Sequence, residues 1–370
     1  MSTGTTLTTG IRNARNVLRY LYGQGAIADL ADILAPRRGA ESRRAVFFID
    51  SFFQKNGLPQ RLNAITPDDQ VIYVDTTNEP TTALINGMYE KVIDESNALP
   101  CAVVGIGGGI TMDVAKAISN LLTNKGRAED YQGWDLLKVP GVFKVAVPSI
   151  SGTGAESTRT CVMTNPATGL KLGMNSDFTV YDQIILDPDL TRTVPRNQYF
   201  YTGMDAYLHC MEALGGSYRN AIGDAYSDQT IRLCRDVFLG EDMMSEENRA
   251  KLMVASYLGG SAIATSYVGV VHPFSAGLSV VLGIHHCVGN CIVMRAMEEF
   301  YPEGHREYWQ MVQRQGVKIP EGICRDLTHE QYERLYASTV IHQKPLTNAL
   351  GENYKEILTP EKVKQLFRKL

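Results

Sequence analysis

Short apolar runs alternate with helical segments along the first half of the chain, and this alternation most constrains the fold. Four runs have the length and composition of buried strands: Arg44–Asp50, Asp69–Asp75, Cys101–Ile106 and Phe143–Ser149. Helical spacing separates them over residues 81–96 and 110–122. Near-continuous apolar strands are typical of parallel sheets that are covered on both faces. The alternation predicts a doubly wound α/β sheet, which binds ligands beyond the carboxyl ends of its strands.

Three consecutive glycines, Gly107, Gly108 and Gly109, lie where the third strand meets its helix. Residues without Cβ allow backbone N–H groups to approach an anion, and the following helix presents its positive end. The turn can therefore bind a pyrophosphate, with Asp113 and Lys116 as polar groups nearby. A simple tight turn explains the glycines equally well, because the spacing matches neither G-x-G-x-x-G nor a Walker A loop.

Two further features fit a nucleotide. Asp50 ends an earlier strand, where an acid can bind the adenosine ribose hydroxyls and repel a 2′-phosphate, favouring NAD over NADP. Residues 150–158 are rich in glycine and hydroxyl groups and suit either a cofactor loop or an ordinary polar loop. A hairpin is predicted over residues 160–174, and another strand over 182–187.

Helical spacing dominates after Pro195, over residues 198–215, 221–239, 246–265 and 287–300. An all-α second domain is therefore expected. The expected limits are 1–190 for the α/β dinucleotide-binding domain and 191–370 for the helical domain. Residues 14–35 are also predicted to be helical, around a break at Gly23–Gly25.

A candidate metal site lies in the second half. Asp205 and His209 are four residues apart in a helical segment, so their side chains share one face. With His272 and His286 they can form a carboxylate-plus-three-imidazole set, which suits Zn²⁺, Fe²⁺ or a similar ion. Spacing alone leaves the site open, because a single histidine on an apolar face is more often a core residue.

Composition excludes several classes of protein. The chain has 370 residues, a formal charge of −4 and no basic stripe, so neither nucleic acid nor an anionic membrane is an expected partner. Seven cysteines without dense pairing fit a reducing compartment. No signal peptide or membrane-spanning run is predicted, and a cytoplasmic location is expected.

Four motifs resemble those of the iron-containing (group III) alcohol dehydrogenase family. Residues 107–116, Gly-Gly-Gly-Ile-Thr-Met-Asp-Val-Ala-Lys, resemble its G-G-G-S-x-x-D-x-A-K cofactor loop except at Ile110. Residues 148–156 resemble P-T-T-x-G-T-G-S-E, and residues 203–212 match G-x-D-A-x-x-H-x-x-E. His272 and His286 have the family's separation, and Asn290 completes a His-Gly-x-x-Asn context in which Cys287 replaces glycine.

The resemblance implies a dehydroquinate synthase-like fold with its active site between a dinucleotide-binding half and a helical metal-binding half. It implies that a divalent metal, Fe²⁺ or Zn²⁺, is bound by four residues: Asp205, His209, His272 and His286. It implies that NAD contacts a second group: Asp50, Gly107, Gly108, Gly109, Asp113, Lys116, Ser149, Thr153 and Lys171. A homodimer is plausible for this family.

One position departs from the family pattern. Most members carry a proton-relaying histidine four residues after the first late ligand, where this chain has Ala276. His285, beside ligand His286, is the candidate catalytic base. Ser275 or a chain of waters is an alternative, and His285 could equally be an exposed or helix-capping residue.

Segments such as Tyr131–Asp135 resemble those of family members that act on 3-deoxy-D-manno-octulosonate (Kdo), and this resemblance implies Kdo as the substrate. The expected reaction oxidises its terminal C8 alcohol to the aldehyde for lipopolysaccharide synthesis, with NAD or oxygen as acceptor. Arg159, Lys171 or Lys144 could bind the sugar carboxylate. The alternatives are an NAD-dependent dehydrogenase of small alcohols, aldehydes or polyols, a lyase resembling 3-dehydroquinate synthase, and a non-catalytic nucleotide-binding module.

Overall fold

The chain forms two compact units in the computed structural model, which describes residues 8–39, 42–58, 62–96 and 98–370. The sheet unit comprises Arg15–Ile150 and Ala155–Thr193. The helical unit comprises residues 8–14 together with Ser151–Gly154 and Val194–Leu370. The main division of the chain therefore lies between Thr193 and Val194.

The strands of the sheet unit form two sheets. Their bounds are β1 Arg19–Tyr22, β2 Ala45–Asp50, β3 Gln70–Val74, β4 Ala102–Gly107, β5 Gly133–Trp134, β6 Lys144–Pro148, β7 Thr160–Asn165, β8 Leu170–Asn175 and β9 Gln183–Leu186. The larger sheet has the order β1-β9-β6-β4-β2-β3, and all of its neighbouring strands are parallel. The carboxyl ends of these strands therefore share one edge.

Strand β2 shows why the runs are apolar throughout. Val46 and Phe48 belong to one buried core, and Phe47 and Ile49 belong to the core on the opposite face. Helices cover both faces: α1 Leu30–Leu34, α2 Phe52–Asn56, α3 Thr82–Glu95 and α4 Gly109–Leu121. The predicted doubly wound sheet is confirmed.

The helix predicted over residues 14–35 is wrong at its start, where Arg19–Tyr22 forms strand β1. Tyr20 pairs with Ile184 of β9, and Tyr22 pairs with Leu186. Aromatic residues at alternate positions favour a pleated strand over a helix. Helical structure begins only after Gly25, whose left-handed φ of 72° is incompatible with a helix that continues through it.

The predicted hairpin is confirmed as strands β7 and β8, which pair antiparallel around Gly169. Strand β5 adds to the outer side of β8 in parallel. Short 3-10 helices connect the larger elements: Ala26–Asp29, Ala35–Arg37, Ala128–Tyr131, Asp177–Thr179, Pro188–Thr191 and Met294–Ala296.

Helices make up the second unit, as predicted. Their bounds are α5 Arg196–Gly215, α6 Ala221–Phe238, α7 Glu246–Ile263, α8 Val271–Leu282, α9 His286–Val293, α10 Pro302–Gln315, α11 His329–Val340, α12 Gln343–Leu350, α13 Tyr354–Ile357 and α14 Pro360–Phe367. One continuous apolar core lies among them. In the described residues, no helix is long and apolar enough to cross a membrane.

Two short segments join the helical unit through hydrogen bonds donated by their backbone N–H groups. Gly10 donates to the carbonyl of Arg219 at 2.7 Å, and Ile11 donates to that of Thr265 at 2.9 Å. Gly154 donates its N–H to the hydroxyl of Ser256 at 3.2 Å. These bonds explain why segments distant in sequence from the helices fold with them.

Candidate metal centre and cofactor turn

Helix α5 supplies the first two candidate metal ligands. Asp205 is fully buried and His209 is 4% exposed, and both lie on the same face one turn apart. The Nε2 atom of His209 lies 3.5 Å from Oδ1 of Asp205. The helical spacing read from the sequence therefore becomes a direct approach of two metal-ligating atoms.

The other two candidate ligands come from the starts of neighbouring helices. His272 is the second residue of α8, and His286 is the first residue of α9. Their Nε2 atoms lie 3.2 Å and 3.8 Å from the carboxylate oxygens of Asp205. The structure thus brings together all four residues that the sequence proposed.

The geometry of these donors fits one metal ion. The four ligand atoms lie within 4.8 Å of one another. Four donors bound tetrahedrally at about 2.1 Å from Zn²⁺ lie about 3.4 Å apart. The three separations from Asp205, at 3.2, 3.5 and 3.8 Å, bracket that value. One carboxylate and three imidazoles are also a donor set that Zn²⁺ and Fe²⁺ accept.

The electrostatics of the cluster favour a cation. Burial opposes ionisation of Asp205, but the neighbouring His209 and His286 hold its pKa well below the usual range. Burial lowers the pKa of His209 to about 4, so its imidazole stays neutral and keeps a lone pair. Burial also disfavours a charged His272, but Glu212 and Asp205 raise its pKa to about 9. The negative potential that holds a proton on His272 also attracts a metal ion.

Sequence reasoning assigned no role to Glu212 or Asn290. Both side chains are fully buried beside the candidate metal ligands. Asn290 donates its Nδ2 to Oδ1 of Asp205 at 2.7 Å, and Glu212 binds Nδ1 of His272. Glu212 lies seven residues after Asp205 on α5, so the helical stripe that revealed His209 also pointed to it.

The structure also places two positions that differ from the family motifs, Ala276 and Cys287, and their neighbours. Ala276 is 7% exposed, and the hydroxyl of Ser275 donates to the carbonyl of His286 at 3.0 Å. Cys287 places its Sγ 3.6 Å from Oδ2 of Asp205, where it can donate a weak hydrogen bond. His285 is exposed and precedes α9 as its N-cap residue.

The glycine turn of the sheet unit is built for close approach. A Cβ on Gly107 would lie 2.6 Å from Oγ1 of Thr111 and 2.9 Å from Cβ of Asp50. The hydroxyl of Thr111 is buried and has no hydrogen-bond partner in the described part of the chain. A buried hydroxyl without a partner beside a helix N-terminus fits a phosphate group.

Three expected cofactor residues meet at this turn, because their elements end at the same sheet edge. Asp50 ends β2 beside Gly107, and Ser149 donates its N–H to the carbonyl of Gly107 at 2.9 Å. Burial raises the pKa of the Asp50 carboxyl. Hydrogen bonds from Phe52 and Thr76 lower this pKa, but by less than burial raises it. Helix α4 starts at Gly109.

The other expected cofactor residues have different surroundings. Asp113 accepts from the N–H of Val162 at 3.0 Å, and burial raises its pKa to about 7. Lys116 is fully buried, and its Nζ donates to the carbonyls of Thr158 and Thr160 at 2.9 Å. These bonds hold α4 against strand β7.

Two remaining cofactor candidates are also placed. Lys171 on β8 forms an ion pair with Glu79 at 3.1 Å. Thr153 belongs to the segment that folds with the helical unit.

A parallel α/β unit with a glycine turn and a helical unit with an Asp-and-three-His centre define a class of metal-dependent oxidoreductases. The family model described as iron-containing alcohol dehydrogenase matches residues 18–188. The model described as Fe-containing alcohol dehydrogenase family, C-terminal, matches residues 199–337. The chain belongs to the iron-containing alcohol dehydrogenase family, whose members are NAD- and metal-dependent alcohol oxidoreductases.

Individual relatives agree with this assignment. Alcohol dehydrogenase 4 of Schizosaccharomyces pombe is 29% identical over 76% of this chain, which covers 66% of that enzyme. NAD-dependent methanol dehydrogenase of Bacillus methanolicus is 28% identical over 74% of this chain and 72% of its own length. The structure of an alcohol dehydrogenase from Oenococcus oeni has the same fold, with a TM-score of 0.83 at 22% identity over 95% of this chain and 99% of that chain.

Proposed function

We propose that this protein is an NAD-dependent dehydrogenase that interconverts small primary alcohols and aldehydes. The observation that carries this proposal is the convergence of the four ligand atoms of Asp205, His209, His272 and His286. The relative named as an NAD-dependent methanol dehydrogenase supports both the acceptor and a small substrate. Of the functions expected from the sequence, this is the alternative to oxidation of Kdo.

The metal centre would act on the substrate hydroxyl. A divalent metal bound there supplies Lewis acid chemistry, which makes an alcohol hydroxyl more acidic and helps hydride loss to NAD. Asp205 contributes the anionic ligand, and the neutral imidazole of His209 contributes a lone pair. Asn290 fixes the Asp205 carboxylate through its amide N–H.

Residues of the sheet unit would hold NAD. The glycine turn and Thr111 offer hydrogen-bond donors for the pyrophosphate, and Asp50 offers a carboxylate for the ribose hydroxyls. The same carboxylate disfavours the 2′-phosphate of NADP.

His285 is our candidate for the group that takes up the substrate proton. The family's relay position holds Ala276, and Ser275 already donates its hydroxyl within the fold. His285 is exposed beside ligand His286, so it can exchange a proton with water.

Oxidation of Kdo has weaker support. Neither relative named above is described as acting on a sugar acid. The cations considered for a sugar carboxylate are engaged within the sheet unit: Arg159 with Asp135 at 2.6 Å, Lys171 with Glu79 at 3.1 Å and Lys144 with Asp182 at 3.8 Å. Burial also lowers the pKa of Lys144 to about 8, which reduces its value as an anion-binding group.

A substrate panel tests the proposal. The Fe²⁺- and Zn²⁺-loaded protein is assayed with 1-propanol, 1,3-propanediol and Kdo, each with NAD, NADP or oxygen as acceptor. We expect the highest kcat/KM for a small alcohol with NAD, and loss of both bound metal and turnover in His286→Ala. A clear preference for Kdo, or for oxygen in the absence of NAD, would contradict the proposal.

A further inference from the structure

Glu212 is a buried carboxylate held by three hydrogen-bond donors. It lies on α5 and is 0% exposed. Its carboxylate accepts from the ring Nδ1 of His272, from the N–H of Val271 at 2.6 Å and from the hydroxyl of Tyr301 at 3.4 Å. A buried carboxylate is costly unless hydrogen bonds satisfy it, and these three donors supply that compensation.

The contact with His272 determines which ring nitrogen of that histidine carries the proton. An ionised carboxylate can only accept hydrogen bonds, so the Nδ1 atom facing Glu212 must carry the hydrogen. The Nε2 atom of the neutral ring then keeps its lone pair. This Nε2 lies 3.2 Å from Asp205 Oδ1, among the ligand atoms of the metal centre.

Tyr301 and Gly269 hold Glu212 in place. The hydroxyl of Tyr301 accepts from the N–H of Val270 at 2.9 Å and donates to Glu212. A Cβ on Gly269 would lie 2.1 Å from that hydroxyl and 3.1 Å from Oε1 of Glu212, so only glycine leaves room for the contact. The carboxylate is thereby fixed to the start of α8, the helix that carries His272.

We propose that Glu212 is a positioning residue that sets the tautomer of His272 and thereby the metal affinity of the centre, and that Tyr301 orients Glu212. Carboxylates that accept from metal-bound histidines orient the ring and make it a stronger ligand. The inference rests on the metal centre of the proposed function and adds to it residues that do not touch the ion.

The test compares the metal affinity of Glu212→Gln with that of the wild-type chain. Glutamine keeps the shape and can still accept from Val271, but its NH₂ group can donate to Nδ1 of His272. That bond moves the ring proton to Nε2 and blocks the ligand atom. Competition with a chromogenic chelator should show Zn²⁺ and Co²⁺ affinities about 10- to 100-fold weaker. The visible absorption of the Co²⁺ protein should change as well.

Glu307 provides a matched control in the same unit. Its carboxylate accepts from the hydroxyl of Tyr207 at 2.5 Å and from Nε of Arg235 at 2.5 Å. Glu307→Gln therefore also replaces a hydrogen-bonded carboxylate of the helical unit. The partners in these bonds are Tyr207 and Arg235, and neither is a candidate metal ligand. Its Zn²⁺ affinity should equal that of the wild-type chain, even if its unfolding temperature without metal falls.

Tyr301→Phe separates the two parts of the inference. It keeps the Glu212–His272 contact and removes only the hydroxyl that donates to Glu212, so it should weaken Zn²⁺ binding less than Glu212→Gln does. A folded Tyr301→Phe with unchanged affinity would overturn the role given to Tyr301. If Glu212→Gln fails to fold, Glu212→Asp takes its place in the same assay, because its shorter side chain withdraws the carboxylate from Nδ1 of His272, and wild-type affinity in that variant would overturn the role given to Glu212.

The remaining outcomes are distinct. Wild-type Zn²⁺ affinity in a folded Glu212→Gln, with only a lower unfolding temperature, would reduce Glu212 to a structural role and overturn the inference alone. A wild-type chain that binds neither Zn²⁺ nor Co²⁺ would overturn the proposed metal centre, and the inference with it.

Discussion

His285 and His286 are neighbours in sequence but differ in their surroundings. The Nε2 atom of His286 lies among the four candidate ligand atoms, whereas His285 is exposed at the start of α9. An exposed imidazole next to a ligand can pass a proton to solvent without occupying a ligand position. In the proposed mechanism, His286 therefore binds the metal and His285 relays the proton.

We predict that His285→Ala lowers kcat for alcohol oxidation about 10²-fold or more, the low end of the range for general base catalysis. Its Zn²⁺ content should not change, and added imidazole should restore part of the rate because the position is exposed. His329→Ala is the control, since His329 is 79% exposed at the start of α11 and pairs with Glu333. Unchanged kcat in His285→Ala would assign the proton transfer to another group.

At this scale the sequence located ligands better than supporting groups. Asp205 and His209 were predictable because helical spacing places them on one face. Glu212 shares that helical face, but neither its role nor that of Asn290 was predictable, because a buried acid or amide gains a role only from the partner that it meets in the fold. Lys116 was expected to contact the cofactor from the resemblance of residues 107–116, and the bonds from its ammonium to the carbonyls of Thr158 and Thr160 were not predictable from that motif.

At the scale of elements, helix α5 depends on a close approach at Gly203, two residues before Asp205. A Cβ there would lie 2.5 Å from the ring of Phe238 on α6 and 2.8 Å from Leu252 on α7. Helix α5 is therefore locked between two neighbours directly beside its metal ligands. The glycine is retained at a cost in helix propensity of about 1 kcal/mol relative to alanine.

Gly203→Ala should consequently destabilise the protein despite its higher helix propensity. We expect a decrease of about 1–3 kcal/mol in the free energy of unfolding, the usual cost of overpacking a core. Gly87→Ala in α3 is the matched control, because a Cβ there meets nothing within 4 Å. It should raise the free energy of unfolding by about 0.5–1 kcal/mol. Urea unfolding of both variants measures the contrast, and equal changes in the same direction would contradict it.

Strands and helices were predicted correctly where burial imposes a pattern of apolar residues on the sequence. Strand β2 faces a core on each side, so its apolar run was unambiguous. Strand β1 was mistaken for helix because Tyr20 is 65% exposed at the sheet edge, where no buried face constrains the sequence. Its pairing with β9, more than 160 residues later, fixes it as a strand and could not be read from the local sequence.

At the scale of the whole molecule, the ligands come from three helices separated along the chain. Asp205 and His209 lie on α5, His272 on α8 and His286 on α9. A metal bound by all four would cross-link the helical unit and would bind the folded state far better than the unfolded chain. Metal binding and stability of this unit should therefore be coupled.

Removing the metal should lower the unfolding temperature of the transition that includes the helical unit. Free Zn²⁺ at about 100 times its Kd adds about 2.7 kcal/mol to the free energy of unfolding. For a unit of this size that corresponds to roughly 5–10 °C. Calorimetry with Zn²⁺ and with excess chelator measures the difference, and His286→Ala should show little of it. An equal shift in that variant would place the stabilising ion elsewhere, because the loss of one imidazole leaves only three of the four donors of this site, the Asp205 carboxylate and two histidines.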